Sequence, residues 1–160
     1  MVKKVNYQAV KNIEDIEIRK YPKLLLATAT NLSDNEAFGI LFNYISGSNR
    51  TLKRIEMTAP VISTENSFSF VMPPRLNMSN IPKPNNPRVI IEKREASKIA
   101  VIRFRGYANS KDVNRFSDKL LSVLKKNQIK TVGETFLMRY NSPFAPGFIR
   151  RNEVGVKVLD

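Results

Sequence analysis

The chain has no cysteine, no histidine and no tryptophan. Disulfides, thiolate nucleophiles, Cys/His zinc sites, Ser-His-Asp triads and imidazole general bases are therefore all excluded. Acidic residues are scarce as well: 14 Asp and Glu stand against 27 Lys and Arg, for a formal charge of +13 and a pI near 10.2. Such a surface should attract an anionic partner, whether nucleic acid, an anionic membrane or a small anionic ligand. Long apolar runs are missing too. Met1 to Val10 starts with charge but holds no apolar stretch of signal-peptide length, and no run of about 18 uncharged apolar residues occurs anywhere. The expectation is a soluble, cytoplasmic protein without membrane insertion, and the lack of cysteine suits a reducing compartment.

What is present is globular in character. With 160 residues, 42% hydrophobic and 26% charged, the chain suits one domain over 1–160 with an enclosed core and one modest pocket.

Five of the nine prolines, Pro73, Pro74, Pro82, Pro84 and Pro87, crowd one stretch together with Asn77, Asn80, Asn85 and Asn86. Proline fixes φ and removes a donor, so residues 73–87 can be neither helix nor central strand. They join two similar halves, about 14–73 and 88–159. In the first, Ile16 to Lys20 alternates, Leu24 to Thr30 reads as a more buried strand, and Ser33 or Asp34 caps a helix. That helix carries Ala37, Phe38, Leu41, Tyr44 and Ile45 on one stripe and stops at Gly47. Ala59 to Thr64 and Phe68 to Met72 follow as a strand pair turning at Glu65 and Asn66.

The second half repeats the order. Val89 to Glu95 and Lys98 to Arg105 are strands, a helix runs from about Ser110 to Lys126 with Val113, Phe116, Leu120 and Leu124 on one face, and Thr131 to Tyr140 and Glu153 to Leu159 close it. Sliding Lys23-Leu24-Leu25 onto Lys98-Ile99-Ala100 also brings Phe38, Leu41 and Ile45 onto Val113, Phe116 and Leu120. The predicted fold is α+β: duplicated β-β-α-β-β units, roughly eight strands and two helices, with the antiparallel sheet curled toward a distorted barrel about a pseudo-twofold axis. A groove between each helix and its sheet is where a small ligand would bind.

Two segments carry candidate chemistry. Arg50 to Pro60 sets Arg50, Lys53 and Arg54 beside Met57, Thr58 and Pro60. It is either a solvated connector whose Ile55 and Met57 plug the core or an electropositive rim beside a soft apolar wall. Arg139 to Glu153 is a long loop with Phe144, Phe148, Arg150 and Arg151. Either Phe144 and Phe148 tuck it onto the core, or it edges a pocket. Glu153 is the carboxylate to watch, and its simplest role is an ion pair with Arg150 or Arg151.

Further motifs run along the chain: Ile16-Glu-Ile-Arg-Lys-Tyr-Pro22; Ala37-Phe38 leading to Tyr44-Ile45-Ser-Gly47 and Asn49; Met57-Thr-Ala-Pro-Val61; Ser69-Phe-Val-Met-Pro73; and Tyr140-Asn-Ser-Pro143 with Arg151-Asn-Glu-Val154. In this order and spacing, across nearly the whole chain, the sequence resembles the SOUL haem-binding protein family. The resemblance implies a duplicated fold shared with GyrI-like effector-binding domains, and binding of haem or another tetrapyrrole in an apolar groove with basic residues for its propionates. The sequence departs from ordinary haem ligation, since without His or Cys only Met, Tyr or Lys could reach the iron. A porphyrin would pack against Phe38, Leu41, Phe42, Met57 or Met72, with Lys53, Arg54, Arg150 or Arg151 meeting its carboxylates and Tyr140 in the same candidate set.

The leading expectation is thus a non-catalytic protein for a tetrapyrrole or other hydrophobic anion, held by packing and charge. The alternatives are a module for another small hydrophobic ligand and non-specific nucleic-acid binding driven by charge. No arginine-glycine tract or nucleic-acid motif supports specific recognition, and no pair of carboxylates at a telling spacing supports an enzyme.

Overall fold

The computed structural model describes residues 3–141 and 145–159. Among them are β1 (Lys3–Lys4), β2 (Gln8–Ile13), β3 (Ile16–Tyr21), β4 (Leu24–Thr30), α1 (Asp34–Ile45), β5 (Thr58–Ser63), β6 (Ser67–Val71), β7 (Ile90–Arg94), β8 (Ser97–Phe104), α2 (Ser110–Lys126), β9 (Thr131–Arg139) and β10 (Asn152–Val158), with a 3-10 turn at Gly147–Ile149. The α+β class and the order β-β-α-β-β, met twice from β3 to β6 and from β7 to β10, agree with the sequence pattern. The strand count does not: ten strands are described against roughly eight expected, because β1 and β2 were not read. β2 pairs only through β3, with a bulge at Ala9/Lys11, and its residues are almost all exposed. A solvated edge strand needs no apolar alternation, so none is written into it.

The chain forms two compact units, one of Met1–Val5 and Lys23–Glu95, the other of Asn6–Pro22 and Ala96–Asp160. The first orders its strands β7-β4-β6-β5, all antiparallel, with β1 added parallel to β5. The second orders them β2-β3-β8-β10-β9, all antiparallel. These units cut across the sequence halves, since β3 lies with the second helix and β7 with the first. The exchange is regular. Ile16, Glu17, Ile18 and Arg19 face Ile102, Val101, Ala100 and Ile99, and Ile91, Glu92, Lys93 and Arg94 face Ala27, Leu26, Leu25 and Leu24 in the corresponding order.

Alternation along each strand decides which side chains meet a helix. In the first unit Leu25, Ala27 and Ala29 of β4 and Phe68 and Phe70 of β6 pack with Ala37, Leu41, Tyr44 and Ile45 of α1. In the second, Ala100, Ile102 and Phe104 of β8 and Val154, Val156 and Val158 of β10 pack with Leu120, Val123 and Leu124 of α2, while Val113 and Phe116 lie against the same cluster. Each helix begins as its sequence demands: Ser33 Oγ accepts from the Glu36 amide at 3.2 Å and Asn109 Oδ1 from the Asp112 amide at 2.9 Å. The segment 73–87 joins β6 to β7 without regular structure and is folded into the first unit. Leu76 is buried, Ile81 packs on the core, and the Tyr44 hydroxyl donates to the Pro82 carbonyl at 2.6 Å.

Candidate functional site

On the second unit's sheet, the residues that alternate away from α2 include Glu17, Arg19 and Tyr21 of β3, Arg103 of β8, Met138 of β9 and Glu153 of β10. Glu153 is fully buried. Its carboxylate accepts from Arg19 Nη1 at 2.8 Å and Nη2 at 2.7 Å, from Arg103 Nε at 3.2 Å, and from Arg151 Nη2 at 3.0 Å. Burial alone would raise its pKa, but the hydrogen bonds and charge of Arg19, helped by Tyr140 and Arg151, outweigh this and lower it to about 2. Arg19, itself 2% exposed, also donates to Glu17 and to the Tyr21 hydroxyl at 2.9 Å and lies over the Tyr7 ring. Burial opposes its charge, yet the hydrogen bond to Glu153 raises its pKa overall. Burial, with the nearby Glu153 charge, likewise keeps the Tyr140 hydroxyl protonated, well above the ordinary tyrosine range. Most of these bonds converge on Oε2, while Oε1 accepts from Arg19 Nη1. The cluster is a fixed charge network.

Close in sequence to that network, the turn after β10's partner strand presents a different surface. Gly147 O accepts from the Gly106 amide at 3.0 Å, Phe148 O from Arg105 Nη1 at 3.0 Å, and Gly106 O from Asn152 Nδ2 at 2.7 Å. Gly147 lies so near Tyr107 that a Cβ there would come within 2.6 Å of the ring. The Arg150 guanidinium stacks on the same ring, 4.4 Å from the centroid of Tyr107. Tyr107 is 65% exposed, Phe148 74% and Ile149 48%. The turn thus carries three exposed apolar side chains, Tyr107, Phe148 and Ile149, with the guanidinium groups of Arg105 and Arg150 bonded to it or stacked on it.

The residues expected from the sequence divide between the units. Phe38, Leu41, Phe42, Lys53, Arg54, Met57 and Met72 belong to the first; Tyr140, Arg150 and Arg151 belong to the second. Leu41 and Met72 are core, and Met57 packs against it. Phe38 meets Phe70 edge-on at 5.5 Å and stacks on Phe42 at 5.8 Å, which leaves Phe42 half-exposed at the end of an aromatic series. Lys53 and Arg54 are exposed, and Ile55 is the expected core plug. Arg151 is engaged by Glu153 and stacks on Tyr140 at 3.9 Å, as the ion-pair reading required. Arg150 instead bonds the Ala145 carbonyl and covers Tyr107. Ser142, Pro143 and Phe144 lie outside the described residues.

Sequence reasoning missed Arg19 and Arg103 as partners of Glu153, and Arg105 and Tyr107 as partners of Phe148 and Arg150. Arg19 occupies the polar beat of an alternating strand, which reads as solvent-facing. Arg105, Gly106 and Tyr107, a cation and an aromatic around a glycine break, carried a usable signal.

A family model described as SOUL heme-binding protein matches residues 2–157. Heme-binding protein 1 of Xenopus tropicalis is 28% identical over 132 residues, which cover 76% of this chain and 69% of that protein. Among solved structures, the EcmrR C-terminal domain superposes with a TM-score of 0.66 at 12% identity, covering 96% of this chain and 98% of that one. A hydrolase from Listeria innocua superposes at 0.60 and 9% identity, covering 93% and 94%. At such identities the structural likeness establishes a shared fold and leaves function to the site.

Proposed function

We propose that this chain, which belongs to the SOUL heme-binding protein family, binds haem or a related tetrapyrrole by apolar packing and basic side chains, without His ligation and without catalysis. The observation that carries this reading is the exposed apolar group of Tyr107, Phe148 and Ile149, with Arg150 stacked on Tyr107 and Arg105 holding the Phe148 carbonyl. The residues suit the ligand. A porphyrin is a flat apolar body with carboxylates at one edge; the aromatic rings offer it dispersion contact, and guanidinium groups offer forked donors to carboxylate. A heme-binding relative at 28% identity supports the same ligand class. When bound, the iron would supply redox and ligand-exchange chemistry, but this chain has no imidazole or thiolate to tune it. Tyr140 is held protonated and is therefore a poor phenolate ligand. The non-catalytic part of the reading rests on Glu153, whose carboxylate is committed to three arginines.

The test is a haemin titration followed at the Soret band, at about 0.15 M salt so that diffuse charge attraction is screened. A saturable one-to-one change is expected, and metal-free protoporphyrin should bind comparably, because packing and charge hold the ring. Phe148→Ser and Arg150→Gln should each weaken binding by about tenfold, the loss of one buried aromatic or one charge-assisted pair. Absence of saturation with either porphyrin would remove the reading. Unchanged affinity in both variants would move the site, with the half-exposed Phe42 on α1 the next face to probe.

A further inference from the structure

We infer that the loop after α1 is a docking tip for an anionic lipid surface. Gly47, at φ 121°, ends α1, and the chain then folds around the side chain of Asn49, which is wholly buried. Its Nδ2 donates to the carbonyls of Tyr44 at 3.0 Å and Lys53 at 2.7 Å. Its Oδ1 accepts from the Lys53 amide at 3.1 Å and the Thr51 hydroxyl at 3.2 Å. Every hydrogen-bonding valence of this amide is used to hold one turn. The Leu52 amide adds a bond to the Asn49 carbonyl at 3.1 Å.

What the turn displays is unusual. Leu52 is 80% exposed and lies in the left-handed region at φ 53°, a conformation that a bulky aliphatic residue disfavours. Asn49 therefore holds an apolar side chain out into solvent in a strained backbone. Around it stand exposed cations. Arg50, Lys53 and Arg54 share the loop, and Lys83 is brought alongside by the bond from the Arg50 amide to the Lys83 carbonyl at 2.9 Å and by the Asn49–Pro84 bridge. None of the four makes an ion pair among the described residues. Glu56, the nearest carboxylate in sequence, is occupied by Arg75 through bonds of 2.8 and 3.1 Å.

An apolar tip on a loop of exposed cations without ion pairs matches the layering of an anionic bilayer surface, where charge meets headgroups and a side chain enters the acyl boundary. A nucleic acid or a free phosphate would use the cations but would gain nothing from a rigidly projected leucine. Neither signal is strong alone; together they give reversible attachment. This inference is independent of tetrapyrrole binding and is tested without it.

The chain lacks tryptophan, so Leu52→Trp introduces a single reporter. With vesicles of phosphatidylcholine and phosphatidylserine at about 0.15 M salt, its emission should shift to the blue and be quenched by brominated acyl chains; with phosphatidylcholine alone it should do neither. Leu52→Asn suits the positive φ and so preserves the turn. In co-sedimentation it should bind anionic vesicles about tenfold less tightly, the loss of one buried aliphatic side chain. Lys53→Gln and Arg54→Gln should each cost about fivefold. Emission unmoved by anionic vesicles, Leu52→Asn binding as tightly as the parent, or full displacement from vesicles by inorganic phosphate at equal ionic strength would each overturn the inference.

Discussion

Arg19 of β3 and Arg94 of β7 are counterparts. Each follows a glutamate by two residues and each holds the same register against the long strand of its unit, Arg19 opposite Ile99 and Arg94 opposite Leu24. Their surroundings differ. In the second unit β10 places Glu153 beside Arg19, and the pair shifts in the direction that favours both charges. In the first unit Glu92 accepts from the Thr28 hydroxyl at 2.8 Å, Thr28 shares a 2.7 Å bond with Ser69, and burial lowers the pKa of Arg94 against a weaker pull from Glu92. One strand motif thus serves a charged network in one unit and a hydroxyl-lined one in the other. The difference lies in what the neighbouring strands contribute.

Glu153→Gln would break this contrast most severely. It strands Arg19 in a buried position without its counter-charge, and a loss of about 3–5 kcal/mol is expected from urea unfolding. A loss below about 1 kcal/mol would mean that the network behaves like an exposed ion pair.

Acid should sharpen the same contrast. The folded-state pKa of Glu153, about 2, lies below the value of an unfolded glutamate, so its stabilisation is present above about pH 4.5 and is lost as the pH falls toward 2. The expected loss is on the order of 3 kcal/mol over that window, absent in Glu153→Gln. Glu56 is also lowered, by its hydrogen bond to Arg75, but it is half-exposed and should contribute little.

In the first unit, Thr28→Val removes the bonds to Ser69 and Glu92 and leaves the buried Ser69 hydroxyl short of a partner, which should cost about 1–2 kcal/mol. A cost rivalling that of Glu153→Gln would erase the distinction between the units. The smallest effect concerns what the units share. Ser33→Ala and Asn109→Ala should each cost about 1 kcal/mol in thermal unfolding, because each removes a cap bond of the same kind, and the further bond lost at Ser33, to the Glu36 carboxylate, is exposed.

Much of the fold could be read from the chain. Leu24 to Thr30 was legible as a strand because its length and apolar content leave no other element, and Ser110 to Lys126 as a helix because Val113, Phe116, Leu120 and Leu124 recur at its period. β2 was not legible, since an edge strand that buries nothing has no pattern to show. The candidate site was legible only in part. The Arg151–Glu153 pair lies two positions apart, and proximity in sequence makes that contact easy to foresee, whereas Arg150 turns instead to Tyr107, far off in the chain. Arg19 lies 134 positions from Glu153, and the turn that projects Leu52 depends on a side chain, Asn49, whose four bonds no local rule predicts.

The sequence by itself determined the repeated order of strands and helices, the two apolar stripes, the helix caps, the positive charge and the absence of imidazole and thiol. These follow from local periodicity, backbone propensity and composition, which act without knowledge of partners. Only the tertiary structure decided that β3 and β7 change places between the units, that Glu153 is enclosed by three arginines, and that Tyr107, Phe148 and Arg150 share one surface. Each of those depends on residues far apart in the chain, and their energies arise from burial and dielectric environment that exist only once the strands are paired.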